Sequence, residues 1–100
     1  MKSDIFAQYA DSIVKLFRID KAELFSKNKR RDLVDARQLL YYLCYKRPMA
    51  LIYIQNFMKE NGYDISHSTI IHSIKSVEKR LMEDRDYASV VNNIQKRVSL

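Results

Sequence analysis

A single glycine and a single proline in one hundred residues leave this chain few places to turn sharply. Antiparallel sheets need a turn every ten positions or so, and the tightest of those turns rely on these two residue types. Helices make no such demand. The scarcity therefore predicts an all-α fold. A composition 47% hydrophobic and 30% charged is that of a chain that buries a core rather than staying disordered. One hundred residues suit one compact domain, residues 1–100.

The apolar spacing predicts about six helices. Ile5, Tyr9, Ile13 and Leu16/Phe17 recur at helical intervals over roughly 4–17. Asp20 can cap a short helix carrying Ala22, Leu24 and Phe25. The run SKNKRRD, 26–32, has no apolar residue and reads as an exposed basic connection. From Leu33 to Arg47 the chain is apolar on nearly every side, as expected of a helix packed on two faces at the centre of a domain. Pro48 ends that helix and suits the first turn of the next, which Gly62 would terminate. Ile70, Ile74, Val77 and Leu81 form the stripe of a further helix. Tyr87, Val90/Val91, Ile94 and Val98 mark a closing helix with Asp86 as its cap.

Charge is distributed unevenly. Between Lys27 and Arg47 seven bases face two acids, so +5 of the net +6 lies in a fifth of the chain. Charge concentrated in this way points to a polyanionic partner, although a solvated lysine-rich loop would carry the same residues. The amino terminus lacks the continuous apolar run of a signal peptide, and the longest uncharged stretch, Pro48 to Met58, is too short to span a bilayer. The lone Cys44 can form no internal disulfide and lies on an apolar side, as a buried, inert thiol would. These features predict a soluble, cytoplasmic protein.

The residues that could carry chemistry gather in ISHSTIIHSIKSVEKRL, 65–81. His67 and His72 are five apart, not the three or four that place two metal ligands on one helical face. No His-Glu-x-x-His, cysteine pair, glycine-rich phosphate loop or nucleophile elbow occurs, so no enzyme, metal site or cofactor is expected. Ser66 can simply cap the helix. Short polar side chains at a helix tip can equally meet base edges in a major groove, and Ser68, His72, Lys75 and Lys79 share one face away from the apolar stripe. Tyr41, Tyr42 and Tyr45 are either packing residues or platforms for single-stranded bases.

The segments SKNKRRDLVDARQLLYYLCY and SHSTIIHSIKSVEKRL, taken in this order and spacing, resemble the C-terminal DNA-binding domain of the bacterial replication initiator DnaA. In that family a basic loop precedes a helix that carries an Arg-Gln pair. A helix-turn-helix follows, whose recognition helix opens Asp-His-Thr-Thr-Val-(apolar)-His. The resemblance implies base-edge roles for His67, Ser68 and Thr69 and phosphate roles for Arg37 and Gln38. It implies minor-groove or backbone roles for Lys27, Lys29, Arg30 or Arg31, without choosing among the four. The family's acidic reader is replaced by Ser66, the arginine before it by Ile65, and its compact glycine turn by the longer KENGYDIS. No Gly-x-x-x-x-Gly-Lys loop is present, so the resemblance is to the DNA-binding part alone, without the ATPase and without a nucleotide.

The expectation is a small all-α double-stranded DNA-binding protein with a helix-turn-helix at about 49–83, acting in replication or transcription, with mobile-element origin open. Its partners would be duplex DNA and a replication or regulatory protein, with no membrane. Two rivals stand beside it: a protein-interaction module on the same fold, and a single-strand or RNA binder that uses the tyrosines.

Overall fold

A computed structural model describes residues 1–98. Among these the chain forms six helices and no strand: α1 (Lys2–Phe17), α2 (Lys21–Leu24), α3 (Arg31–Lys46), α4 (Leu51–Glu60), α5 (His67–Glu83) and α6 (Arg85–Arg97). The central element is α3, which packs against α1 on one side and α5 on the other. Its residues Leu33, Ala36, Leu39, Leu40, Leu43 and Cys44 have no exposed surface. That explains the all-round apolar character of the segment, since a helix packed on both flanks has no face left for polar residues. Burial pushes the Cys44 thiol well above its ordinary range, so it stays protonated and unreactive.

The other helices bury one stripe each. In α1 this is Ile5, Phe6, Tyr9, Ala10 and Ile13, and in α4 it is Ile54 and Met58. The α5 stripe, Ile70, Ile74 and Val77, also includes Ser73. Serine at that position keeps α5 close to its neighbour at little steric cost. The α6 stripe narrows to Val91 and Ile94, with Val90 exposed.

Two boundaries differ from the expectation. Pro48 does not sit in the first turn of α4: it follows a cis Arg47–Pro48 peptide, and the helix begins only at Leu51 after Ala50. The cap of α6 is Asp84, whose Oδ1 accepts the Tyr87 N–H at 3.1 Å, and Asp86 lies within the first turn. The cap moved because α5 ends at Glu83 and leaves no spacer, so the next acid in line satisfies the orphan amides.

Two local motifs set the ends of α2 and α4. Asp20 precedes α2, where the Glu23 carboxylate accepts the Asp20 N–H at 2.9 Å. At the end of α4, Gly62 adopts φ +88°, its N–H reaches Lys59 O at 2.9 Å, and the Tyr63 N–H reaches Met58 O at 2.9 Å. These paired bonds close the helix in a Schellman turn and aim the chain toward α5. A Cβ at Gly62 would meet no atom within 4 Å, so only the left-handed backbone resists substitution. Gly62→Ala should cost about 1–2 kcal/mol, read as a lower urea midpoint with an unchanged slope.

Candidate nucleic-acid interface

The tip of α5 is built by its own cap. Ser66 has extended backbone, and its Oγ accepts the Thr69 N–H at 3.2 Å while lying 3.1 Å from the Thr69 hydroxyl. Ser66 is therefore the N-cap of α5, and Thr69 is partly committed to it. His67, Ser68 and His72 are exposed and make no side-chain hydrogen bond with the described residues. The turn leading into the tip is pinned from α4, where Gln55 Nε2 donates to Ile65 O at 2.7 Å. Tyr63 is buried beneath it.

The basic loop is organised from below. Arg37 is expected from the family resemblance to touch phosphate, but it is 3% exposed. Its Nε donates to Leu24 O at 2.8 Å and its Nη1 to Asn28 O at 2.9 Å. Its Nη2 donates to Glu23 O at 3.1 Å and Ser26 O at 2.6 Å. With four N–H groups spent on carbonyls and the side chain enclosed, Arg37 is an interior residue rather than a surface contact. Gln38, next in sequence, is half-buried and bonds to none of the described side chains or carbonyls.

Above Arg37 the four loop cations are not equivalent. Arg30 Nε donates to Asp32 Oδ1 at 2.7 Å, and its Nη1 lies 3.2 Å from Glu23 Oε2. The bond to Asp32 raises the Arg30 guanidinium pKa and holds the Asp32 carboxyl below its ordinary range. Arg31 lies 3.4 Å from Asp35, which also meets Arg80 of α5 at 3.5 Å. Lys27 and Lys29 are exposed and have no ion pair among the described residues. They are the cations left available. Arg47 is half-buried and likewise engaged by the fold, donating to Val98 O at 2.7 Å and to the Tyr9 hydroxyl at 3.2 Å. Two of the seven bases in the charge-rich stretch thus hold the fold, which a count of charges along the sequence cannot reveal.

Loop and tip meet across one open cavity of about 350 Å³. Lys29, Arg37 and Gln38 line it from the α2–α3 side, and Ser68, Thr69, His72 and Ser73 line it from α5. Val34, Tyr41 and Tyr63 complete the wall, which carries no carboxylate. Burial keeps the Tyr41 phenol protonated by raising its pKa. Tyr41 is expected only as a packing residue or a single-strand platform, and Tyr63 is not an expected site residue, although an aromatic directly after the helix-ending Gly62 is the kind of position that anchors a turn. Lys75 does not join this cavity but borders an apolar depression with Tyr45, Leu51, Ile71, Ile74 and Glu78. Lys79 is exposed farther along α5, and Ser66 and His67 flank the cavity at the helix tip. Tyr41 and Tyr42 are 1% and 8% exposed, which removes them as stacking platforms, and the half-exposed Tyr45 lies away from the cavity.

Residues 8–77 match the family model described as the bacterial DnaA protein helix-turn-helix. The chain belongs to the DnaA helix-turn-helix family. It is 36% identical over 87 residues to the chromosomal replication initiator protein DnaA of Citrifermentans bemidjiense, covering 87% of this chain and 18% of that protein. With the DnaA of Geobacter metallireducens it shares 40% identity over 80 residues, 80% of this chain and 17% of the relative. With that of Flavobacterium psychrophilum it shares 29% over 101 residues, all of this chain and 20% of the relative. The chain thus spans about a fifth of the length of these DnaA proteins. What it shares with them is the helix-turn-helix. No helix among the described residues is long and apolar enough to cross a membrane.

Proposed function

We propose that this DnaA-type domain binds double-stranded DNA in a replication-initiation setting, without chemistry, along the face shared by the basic loop and the α5 tip. The observation that carries the reading is that one acid-free cavity is bordered by Lys29 and Gln38 on one side and by Ser68, Thr69 and His72 on the other. One polyanion lying across it would meet both elements together. In this reading the α5 tip enters the major groove, where His67 and Ser68 meet base edges, with Thr69 and His72 beside them. Lys27 and Lys29 neutralise the backbone or the adjacent minor groove, assisted by Arg30 and Arg31 to the extent that their acidic partners release them. Gln38 donates to a phosphate from the cavity wall, and Lys75 and Lys79 follow the flanking backbone along α5.

Selection from a random duplex library tests this directly: an enriched motif is expected, and a library that stays random through every round would refute it. His67→Ala combined with Ser68→Ala should lower the ratio of selected-motif to random-duplex affinity by roughly tenfold or more. Affinity for random duplexes should change little, because that term comes from phosphates. Fluorescence anisotropy on both duplexes reads the two quantities separately.

A further inference from the structure

Arg37 stands at the junction of the two halves of the proposed interface. On one side its guanidinium holds the carbonyls of Glu23, Leu24, Ser26 and Asn28. Leu24 ends α2, where helix carbonyls lack intrahelical partners, so the buried cation satisfies an acceptor that would otherwise be orphaned, while the Glu23 carbonyl also accepts the Ser26 N–H at 3.1 Å and hydroxyl at 2.8 Å. Ser26 and Asn28 belong to the basic loop itself, with Lys27 between them and Lys29 directly after. On the other side the guanidinium lies over the Tyr63 ring at 4.9 Å from its centroid. Tyr63 is three residues ahead of the α5 cap, in the turn that Gln55 and Gly62 pin. One rigid side chain rooted in α3 thus references both the lysine loop and the reading tip.

We infer that Arg37 is a positioning residue which fixes the spacing between the basic loop and the α5 tip, and so sets the sequence selectivity of the domain without touching DNA. The inference rests on the duplex-binding reading above. The residue type matters because a planar fork with five donors reaches several carbonyls in one plane. A lysine offers three donors at a single point and cannot hold all of them. When the clasp is loosened, Lys27 and Lys29 can still find phosphates, because phosphates repeat along the duplex. What is lost is their register with the base-reading tip.

The test compares wild type with Arg37→Lys. Hydrogen exchange is followed at the loop amides of Asn28 and Arg30, which bond to Ser26 Oγ at 3.3 Å and Asn28 Oδ1 at 2.9 Å. Anisotropy is measured across a salt series on a selected duplex and on one of scrambled sequence. Arg37→Lys should speed loop exchange at least tenfold and lower the selected-to-scrambled ratio at least tenfold, with the slope of log K against log salt unchanged. Arg37→Gln, which removes the charge, should likewise leave the slope unchanged; a slope shallower by about 0.9 in that variant, with the ratio preserved, would make Arg37 a phosphate contact and overturn the inference. Unaltered loop exchange would do the same. Should the variant not fold, the Arg37 Nε–H resonance of the ¹⁵N-labelled wild type decides: it is expected to exchange slowly with water and to stay in place when duplex is added. A resonance that moves on saturation with DNA contradicts the proposal. If wild type bound no duplex, the interface reading and the selectivity role would fall together, while faster loop exchange in Arg37→Lys would still report the clasp.

Discussion

Alanine at both Lys27 and Lys29 should weaken binding to every duplex, whatever its sequence, and flatten the salt dependence. Each phosphate neutralised by a lysine releases condensed counterions, so losing two contacts should reduce the slope of log K against log salt by about 1.8 and cost roughly tenfold per lysine at low salt. These two are chosen because they are the exposed loop cations without an acidic partner among the described residues. Arg30 carries the same formal charge but is engaged by Asp32 and Glu23. Contact with DNA would have to give up those partners, so Arg30→Ala should have the smaller effect. Anisotropy titrations over a salt series, with random duplexes as target, check both statements. Equal slopes for the lysine variant and wild type would show that the loop does not face the backbone.

The second large effect concerns the body of the domain. Leu40 has no exposed surface and lies mid-way along α3, the helix that touches both α1 and α5. Leu40→Ala removes buried methylenes and leaves a cavity that helices packed on both flanks cannot close, at a cost of about 2–5 kcal/mol. Small domains hold only about 5–15 kcal/mol in total. For a domain of this size each kcal/mol shifts Tm by about 4–8 °C, so a fall of well over 5 °C is expected in thermal unfolding followed by circular dichroism. Met82→Ala is the matching control. That side chain is 89% exposed, and its removal should alter stability by less than about 0.5 kcal/mol. Similar losses at the two positions would mean that α3 is not the central element.

The family signature at 66–72 and the basic run at 26–32 stood out in the sequence because both are local: hydroxyls and imidazoles opening an apolar stripe, and cations unbroken by apolar residues. The cap at Ser66, the stop at Gly62 and the two-sided burial of α3 were readable for the same reason, since each depends on residues within a turn or two. The spacing of apolar side chains along a helix states which face is buried before any partner is known.

Arg37 shows where that reading ends. Along the chain it is one more base beside Gln38, and the family resemblance assigned it to phosphate. Its partners are backbone carbonyls nine to fourteen residues earlier, groups that every residue possesses and no sequence pattern marks. Lys27 and Lys29 likewise differ from Arg30 only through which carboxylates lie near in space. The chain by itself determined the number and polarity of its helices and where its cations concentrate, because those follow from short-range periodicity and charge. Only the packing of α2, α3 and α5 decided which cations face outward and which hold the core, because burial and ion pairing are properties of distance through space, not distance along the chain.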